Sequence, residues 1–355
     1  MDRVDIAIIG AGVVGAAVFE RLTARGLSCF LLDKRARAGG ETTERNSGVV
    51  HAGLWYPPDS WKTRLCVEGN RLLSTWALEH DVPYARVTKL VVAEGAEEEE
   101  GLARLVAHGR AVGVEGLSII TGSALQKLEP GVIGSAAVLA ESTGIVDPAA
   151  LTASLVAAGR AQGGEVITSA AVSAIEPGYV LHTTRGELRA SAVVNAAGLY
   201  ADDVARMVGI DRYRIHPCRG DYYRLRTPAR FLRLIYPVKK KGAVGLGVHL
   251  TIDLAGEYRL GPNAYYVDSK EDYSGGGGQE AAFAAAAGRI LRGVTPEMIS
   301  YESSGIRPKL RAPDEDREKD FVISEDLPRF INLVGIESPG LTSALAIAVE
   351  VGRRL

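Results

Sequence analysis

Residues 4–33 read VDIAIIGAGVVGAAVFERLTARGLSCFLLD, and the order of residue types in this stretch decides the fold. Apolar character builds over Val4–Ile9 and stops at a glycine, the pattern of a strand buried on both faces. Gly10, Gly12 and Gly15 follow in GxGxxG spacing; an apolar helix pattern then runs to about Ala24, and a second strand, Ser28–Leu32, ends on Asp33. Gly10 permits a tight turn, Gly12 lets backbone approach a pyrophosphate, and Gly15 lets the helix pack closely on the strand. The helix start presents unpaired N–H groups to phosphate oxygens. Asp33 can accept hydrogen bonds from ribose hydroxyls and repels a 2′-phosphate. The unit predicts an adenine dinucleotide site; its spacing leaves both NAD and FAD open.

The chain around it has 355 residues, 46% hydrophobic and 24% charged, which suits a globular protein of two domains. A formal charge of -2 offers no attraction to a polyanion, so a nucleic-acid partner is not expected. Cys29, Cys66 and Cys218 lie far apart without a CxxC pair, which predicts reduced thiols and no metal site. Neither a signal peptide nor an apolar run of about 18 residues is visible, so a cytoplasmic protein is expected.

Further along, Gly39–Gly53 (GGETTERNSGVVHAG) is a glycine-rich loop able to lie along an extended ligand. A helix is predicted from about Ser60 to His80, with Leu65, Leu72, Leu73 and Trp76 on one side. Asp147 and Pro148 mark another helix start, and Gly163–Gly164 mark its end. A strand at Ala192–Asn195 runs into Ala196–Ala197–Gly198, small residues that a ligand or a packed neighbour could approach. From Asp211 to about Glu302 the sequence alternates and is rich in aromatic and β-branched residues, as in a largely antiparallel sheet. Glu280–Arg292 reads as an alanine-rich helix. His80 and His108 read as surface groups, and His182 as structural. The end of the chain returns to α/β character, with a helix from about Leu341 that packs back on the first domain.

Several of these segments together resemble a known group: RNSGVVHAGLWY (45–56), TGIVDP (143–148), NAAGLYADDVA (195–205), CRGDYY (218–223), LIYPV (234–238), LGVHLT (246–251), GPNA (261–264), SGIRPKL (304–310) and NLVGIESPGLTSALAIA (332–348). The chain resembles the L-2-hydroxyglutarate dehydrogenase/oxidase family, within the D-amino-acid-oxidase-like superfamily of FAD-dependent oxidoreductases. The resemblance implies an α/β plus α+β chain. Its Rossmann-like FAD-binding domain would be built from 1–80, 141–210 and 303–355, and its substrate domain, with a mainly antiparallel sheet, from 81–140 and 211–302. It implies noncovalent FAD, a 2-hydroxy dicarboxylate substrate, and a quinone, another acceptor or oxygen to receive the electrons. A quinone acceptor would allow peripheral contact with the inner face of a membrane.

On that resemblance the cofactor contacts are Gly10, Gly12, Gly15, Asp33, Lys34, Arg45, Asn46, Ser47, Val172, Ala197, Gly198, Gly305, Gly340, Leu341 and Thr342. Arg45 is a departure, since relatives tend to carry histidine there, and it leaves room for a related substrate. Oxidising an alcohol carbon requires a base for the hydroxyl proton, and histidine is the usual one near neutral pH. His51 and His249 are the candidates; either could take the proton or only orient the alcohol. Arg307 is the expected carboxylate clamp because a guanidinium matches a carboxylate with two hydrogen bonds. Arg219 is a second clamp candidate, Lys309 a source of positive field, and Tyr236 a hydrogen-bond donor to substrate. Two rivals remain: an amine or amino-acid oxidase of the same superfamily, and a flavin-binding protein without turnover.

Overall fold

The computed structural model describes residues 2–239 and 247–355. The expected strand through GLGVHLT begins at Gly245–Leu246, which lie outside the described residues. Strand β1 (Asp2–Ile9), helix α1 (Val13–Thr23) and strand β2 (Cys29–Leu32) form the predicted unit, with β1 and β2 parallel. The first sheet extends through parallel pairs from β2 to Glu165–Ile167, from β1 to Gly186–Asn195, and from there to Phe330–Val334. Its antiparallel edges are Val172–Glu176 with Val180–Thr183, and Val322–Leu327. In parallel sheets ligands lie beyond the carboxyl ends of the strands. Here those ends bring Gly10, Asp33, Ala196 and Gly335 to one rim of the sheet.

Side-chain packing seals both faces of this sheet. Ile6, Ile8, Leu31, Val194 and Ile331 bury against α1 and the helices Trp61–Glu79, Pro148–Ala161 and Gly340–Arg354, while Ala7, Ile9, Val193 and Phe330 bury on the other face. The cap predicted at Asp147 holds, and Ser60 caps the helix that follows it. Ser60 accepts the N–H of Thr63, and Asp147 accepts those of Ala149 and Ala150 with Pro148 in the first turn. The C-terminal helix packs on both α1 and Trp61–Glu79, as expected of a domain closed by the chain's end. Cys29 is core, and all three cysteines are free thiols.

The second sheet is antiparallel except for Leu234–Pro237 alongside Lys89–Ala93. Its longest pair, at one edge, is His216–Leu225 with Ile299–Lys309, in register from His216↔Lys309 to Leu225↔Ile299 with one bulge at Tyr222/Tyr223. The expected boundary at residue 303 therefore falls inside a strand, and residues 303–309 stay in the second sheet because the pairing continues to its end. Two other expectations change. The alanine-rich helix is Glu280–Ala287 and stops at Gly288, after which Leu291 bridges to Val132. His108 is half-buried, with Nε2 covered and unpartnered among the described residues.

Candidate active site

One cavity runs from the start of α1 to the junction of the two sheets. At its first end the glycine fingerprint meets its steric tests. Gly10 has φ +105°, and a Cβ there would lie 2.4 Å from the Ala196 carbonyl oxygen. A Cβ on Gly15 would come within 1.9 Å of the Gly10 carbonyl oxygen, so the helix can sit this close to the turn only without one. The Thr43 hydroxyl accepts the Val13 N–H at 3.0 Å in the first turn of α1, and Gly12, Val13 and Val14 line the cavity. The turn is also held by Asp33, which accepts N–H bonds from Ala11 (2.7 Å) and Arg35 (2.7 Å) and keeps spare lone pairs.

From there the wall follows Thr42, Thr43, Arg45, Asn46 and Ser47, with Gly198 and Gly305 opposite. The Asn46 amide bonds the carbonyls of Thr42 (3.2 Å) and Thr43 (2.5 Å) and receives the Gly48 N–H, fixing the loop from within. Arg45 lies over the Tyr273 ring, and Gly305 is required beneath it, since a Cβ would meet the Arg45 carbonyl oxygen at 2.1 Å. Gly340 and Leu341 line the far end. Thr342 stands behind them with its hydroxyl turned inward, accepting the His51 N–H at 2.9 Å. Ala197 adjoins the wall without forming it.

Both candidate histidines face this cavity, as do Tyr236, Arg307 and Lys309. His249 Nδ1 lies 2.7 Å from the Gly247 carbonyl oxygen, which can only accept. The neutral ring is therefore the Nδ1–H tautomer, and Nε2 carries the free lone pair. Its ring stacks on Tyr236 at 3.9 Å. Burial, then the charges of Lys89 and Arg307, push the His249 imidazolium down to about 3 despite the Gly247 bond. Burial, Lys89 and His249 do the same to His51. Both rings are neutral acceptors at physiological pH.

Arg307 NH2 donates to the Asn263 carbonyl oxygen at 3.2 Å, while NH1 is buried without a partner among the described residues. The guanidinium crosses Gly220 on the paired strand, where a Cβ would lie 2.7 Å from NH1. A buried half-satisfied guanidinium in a cavity wall is a receptor for an anion. The Tyr236 hydroxyl and Trp55 Nε1 are likewise buried and unpartnered.

Arg219 is corrected. On its strand Gly220 and Tyr222 line the cavity, so Arg219 projects from the opposite face. Its guanidinium is engaged there by the Tyr265 hydroxyl (2.5 Å) and by Asp272 (2.7 Å). Lys34 and Val172 also lie away from the cavity wall. Lys34 sits 3.3 Å over the Tyr200 ring and pairs with Glu41 and Glu271, and Val172 opens a strand opposite Thr183.

The sequence reading passed over a charged cluster in the same wall. Glu337 is held between Lys62 and Lys309, each 2.9 Å away, and Lys309 also reaches Glu318, which Arg311 binds. Against the burial that opposes ionisation, the two ammonium groups hold the Glu337 carboxyl down to about 2. Lys239 completes the cluster; burial lowers its pKa, and it has no ion pair among the described residues.

A glycine turn at a helix start, continuous with a cleft that ends on neutral imidazoles and a half-satisfied guanidinium, fits a dinucleotide whose reactive end meets an anionic substrate. The model for FAD dependent oxidoreductases matches residues 5–354. The chain belongs to this family. It is 34% identical to the mitochondrial L-2-hydroxyglutarate dehydrogenase of Arabidopsis thaliana, over 99% of this chain and 83% of that protein. It is 32% identical to a glycerol 3-phosphate dehydrogenase of Caloramator mitchellensis, over 98% of this chain and 72% of that protein. Among solved structures, the FAD-bound, dithionite-reduced L-α-glycerophosphate oxidase of Mycoplasma pneumoniae superposes with a TM-score of 0.91 at 25% identity, covering 100% of this chain and 95% of that one. The cofactor of this oxidoreductase is FAD, which settles the choice the glycine spacing left open, and the resemblance read from the motifs holds.

Proposed function

We propose that the protein oxidises a 2-hydroxy dicarboxylate, L-2-hydroxyglutarate to 2-oxoglutarate, and passes the electrons to a quinone or another acceptor. The observation that carries this reading is the unpaired Arg307 NH1 in the same wall as the Nε2 lone pair of His249. Arg307 holds the carboxylate next to the alcohol carbon. His249, by its fixed tautomer, accepts a hydrogen bond from the hydroxyl and can take its proton, with His51 as the second acceptor in the wall. Bound FAD supplies the two-electron acceptor for the hydride on C2. Gly10, Gly12, Gly15 and the first turn of α1 would hold its pyrophosphate, with Arg45, Asn46, Ser47 and Gly340–Leu341 along its length.

The second carboxylate falls to the lysine cluster. Arg307 and Lys309 share one face of a strand, two residues and so roughly 7 Å apart along the backbone. That separation suits the two ends of a five-carbon diacid, and Lys239, near Lys309 and without an ion pair among the described residues, supplies positive charge there. The relatives named for glycerol 3-phosphate favour a second reading, in which a phosphate takes the place of a carboxylate. Among the described residues no helix is long and apolar enough to cross a membrane. Contact with a quinone would then be made at the membrane surface.

Anaerobic mixing of the FAD-loaded protein with single substrates tests the proposal. L-2-Hydroxyglutarate is expected to bleach the oxidised flavin band faster than D-2-hydroxyglutarate, lactate, glycine, sarcosine or glycerol 3-phosphate. Bleaching by glycerol 3-phosphate alone establishes the second reading, by an amine the amino-acid oxidase alternative, and by none of them a flavin protein without this turnover.

A further inference from the structure

Lys89 opens the strand Lys89–Ala93 at the centre of the second sheet. It is fully buried, and its Nζ has no hydrogen-bond partner among the described residues. It is not part of the cavity wall. Its ammonium stands 5.0 Å from the centre of the Tyr236 ring, and Tyr236 stacks on His249 at 3.9 Å, so the ammonium lies within about 9 Å of that imidazole. The ionisable groups within electrostatic reach of it come from four elements: Tyr236 from Leu234–Pro237, under the ammonium, with Cys66 from the helix Trp61–Glu79, His51 from the loop after Val49–Val50, and His249 just before Leu250–Ile252. Burial pushes the Cys66 thiol up to about 12 and the Tyr236 phenol well above its usual range, so both are neutral. Arg307 is the other cation that acts on His249. A buried ammonium with no carboxylate beside it is costly to keep unless its charge has a use.

We propose that Lys89 is a positioning residue that sets the proton affinity of His51 and His249 through its charge, so that flavin reduction accelerates when Lys89 loses its proton. The proposal rests on the reading that an imidazole takes the substrate's hydroxyl proton. In that step the O–H bond breaks, its proton passes to the imidazole nitrogen, and C2 gives its hydride to FAD. The imidazole becomes a cation, which a charged Lys89 opposes and a neutral Lys89 does not. Burial lowers the pKa of Lys89 to about 8, which brings the switch into the working range of an enzyme. Two unit charges about 9 Å apart at an effective dielectric near 20 oppose the step by roughly 20-fold.

The test compares wild type, Lys89→Met and Lys89→Arg, all FAD-loaded, by anaerobic flavin reduction with L-2-hydroxyglutarate from pH 6 to pH 10. Wild type is expected to rise about 20-fold through a step near pH 8, Lys89→Met to stay near the upper plateau, and Lys89→Arg to stay near the lower one. Histidine side-chain NMR of the same proteins gives a readout without substrate, in which Lys89→Met raises the pKa of at least one imidazole. A step that survives in either variant overturns the proposal. So does a uniformly slow Lys89→Met enzyme with unchanged histidine titration, the outcome of a purely structural lysine. If Lys89→Met does not fold, the Lys89→Arg profile and the wild-type histidine titration decide. If no hydroxy acid reduces the flavin in any protein, the functional reading fails, and the NMR titration still judges Lys89.

Discussion

Replacing Glu337 with glutamine exposes the energetics that hold the cavity wall together. The variant keeps the size of the side chain and removes one charge, leaving Lys62 and Lys309 buried side by side. In the native protein the Glu337 carboxyl is held at about 2 against an ordinary value of 4.5. That difference is worth about 3 kcal/mol of stability at neutral pH. Breaking a buried ion pair from one side costs about 3–5 kcal/mol by general experience, so the two routes agree. The sign follows from the depressed pKa. The contribution is complete above pH 4.5 and is lost as pH falls from there toward 2. Urea unfolding followed by tryptophan fluorescence, at one fixed FAD concentration because bound cofactor adds to apparent stability, measures the gap. Glu337→Gln should be about 3 kcal/mol less stable than wild type at pH 7, and the gap should narrow below pH 4.5. A loss under 1 kcal/mol, or a gap that does not change with acid, would refute the view that this carboxylate locks the wall.

Two further predictions concern the two ends of the cavity. Gly15→Ala places a methyl group within 1.9 Å of the Gly10 carbonyl oxygen, so the purified variant should lose most of its bound flavin absorbance; full retention would show that the turn does not carry the cofactor. Arg307→Met should lower kcat/KM for L-2-hydroxyglutarate by about 100-fold or more, the scale of a lost buried charge-assisted pair, and should spare a neutral alcohol; equal losses on both would make the arginine structural.

The parts of this account legible in the sequence are those set by local sterics. The strand, glycine turn, helix and acid of residues 4–33 depend on neighbours within about thirty positions, and the glycine roles follow from the absence of Cβ. Arg307 and the two histidines stood out in the sequence by residue type and share one cavity wall, although the tautomer of His249 depends on a carbonyl that only the fold places. The lysine cluster was not legible, because Lys62 and Glu337 stand 275 positions apart and Lys62 reads as an ordinary helix-surface lysine. Arg219 was given the wrong face because both sides of its strand are buried, so alternation does not reveal which side is the cavity. Lys89 at the head of an apolar strand resembles an edge residue until the sheet encloses it. The boundary at 303 failed for a related reason, since composition changes there while the hydrogen-bonded pairing does not.

The most direct test of the central claim is a crystal structure of the FAD-loaded protein with 2-oxoglutarate bound. The account predicts the pyrophosphate on the Gly10–Gly15 turn, one product carboxylate on the Arg307 guanidinium and the other at Lys239. A product bound elsewhere, with Arg307 still turned only to the Asn263 carbonyl, would contradict it.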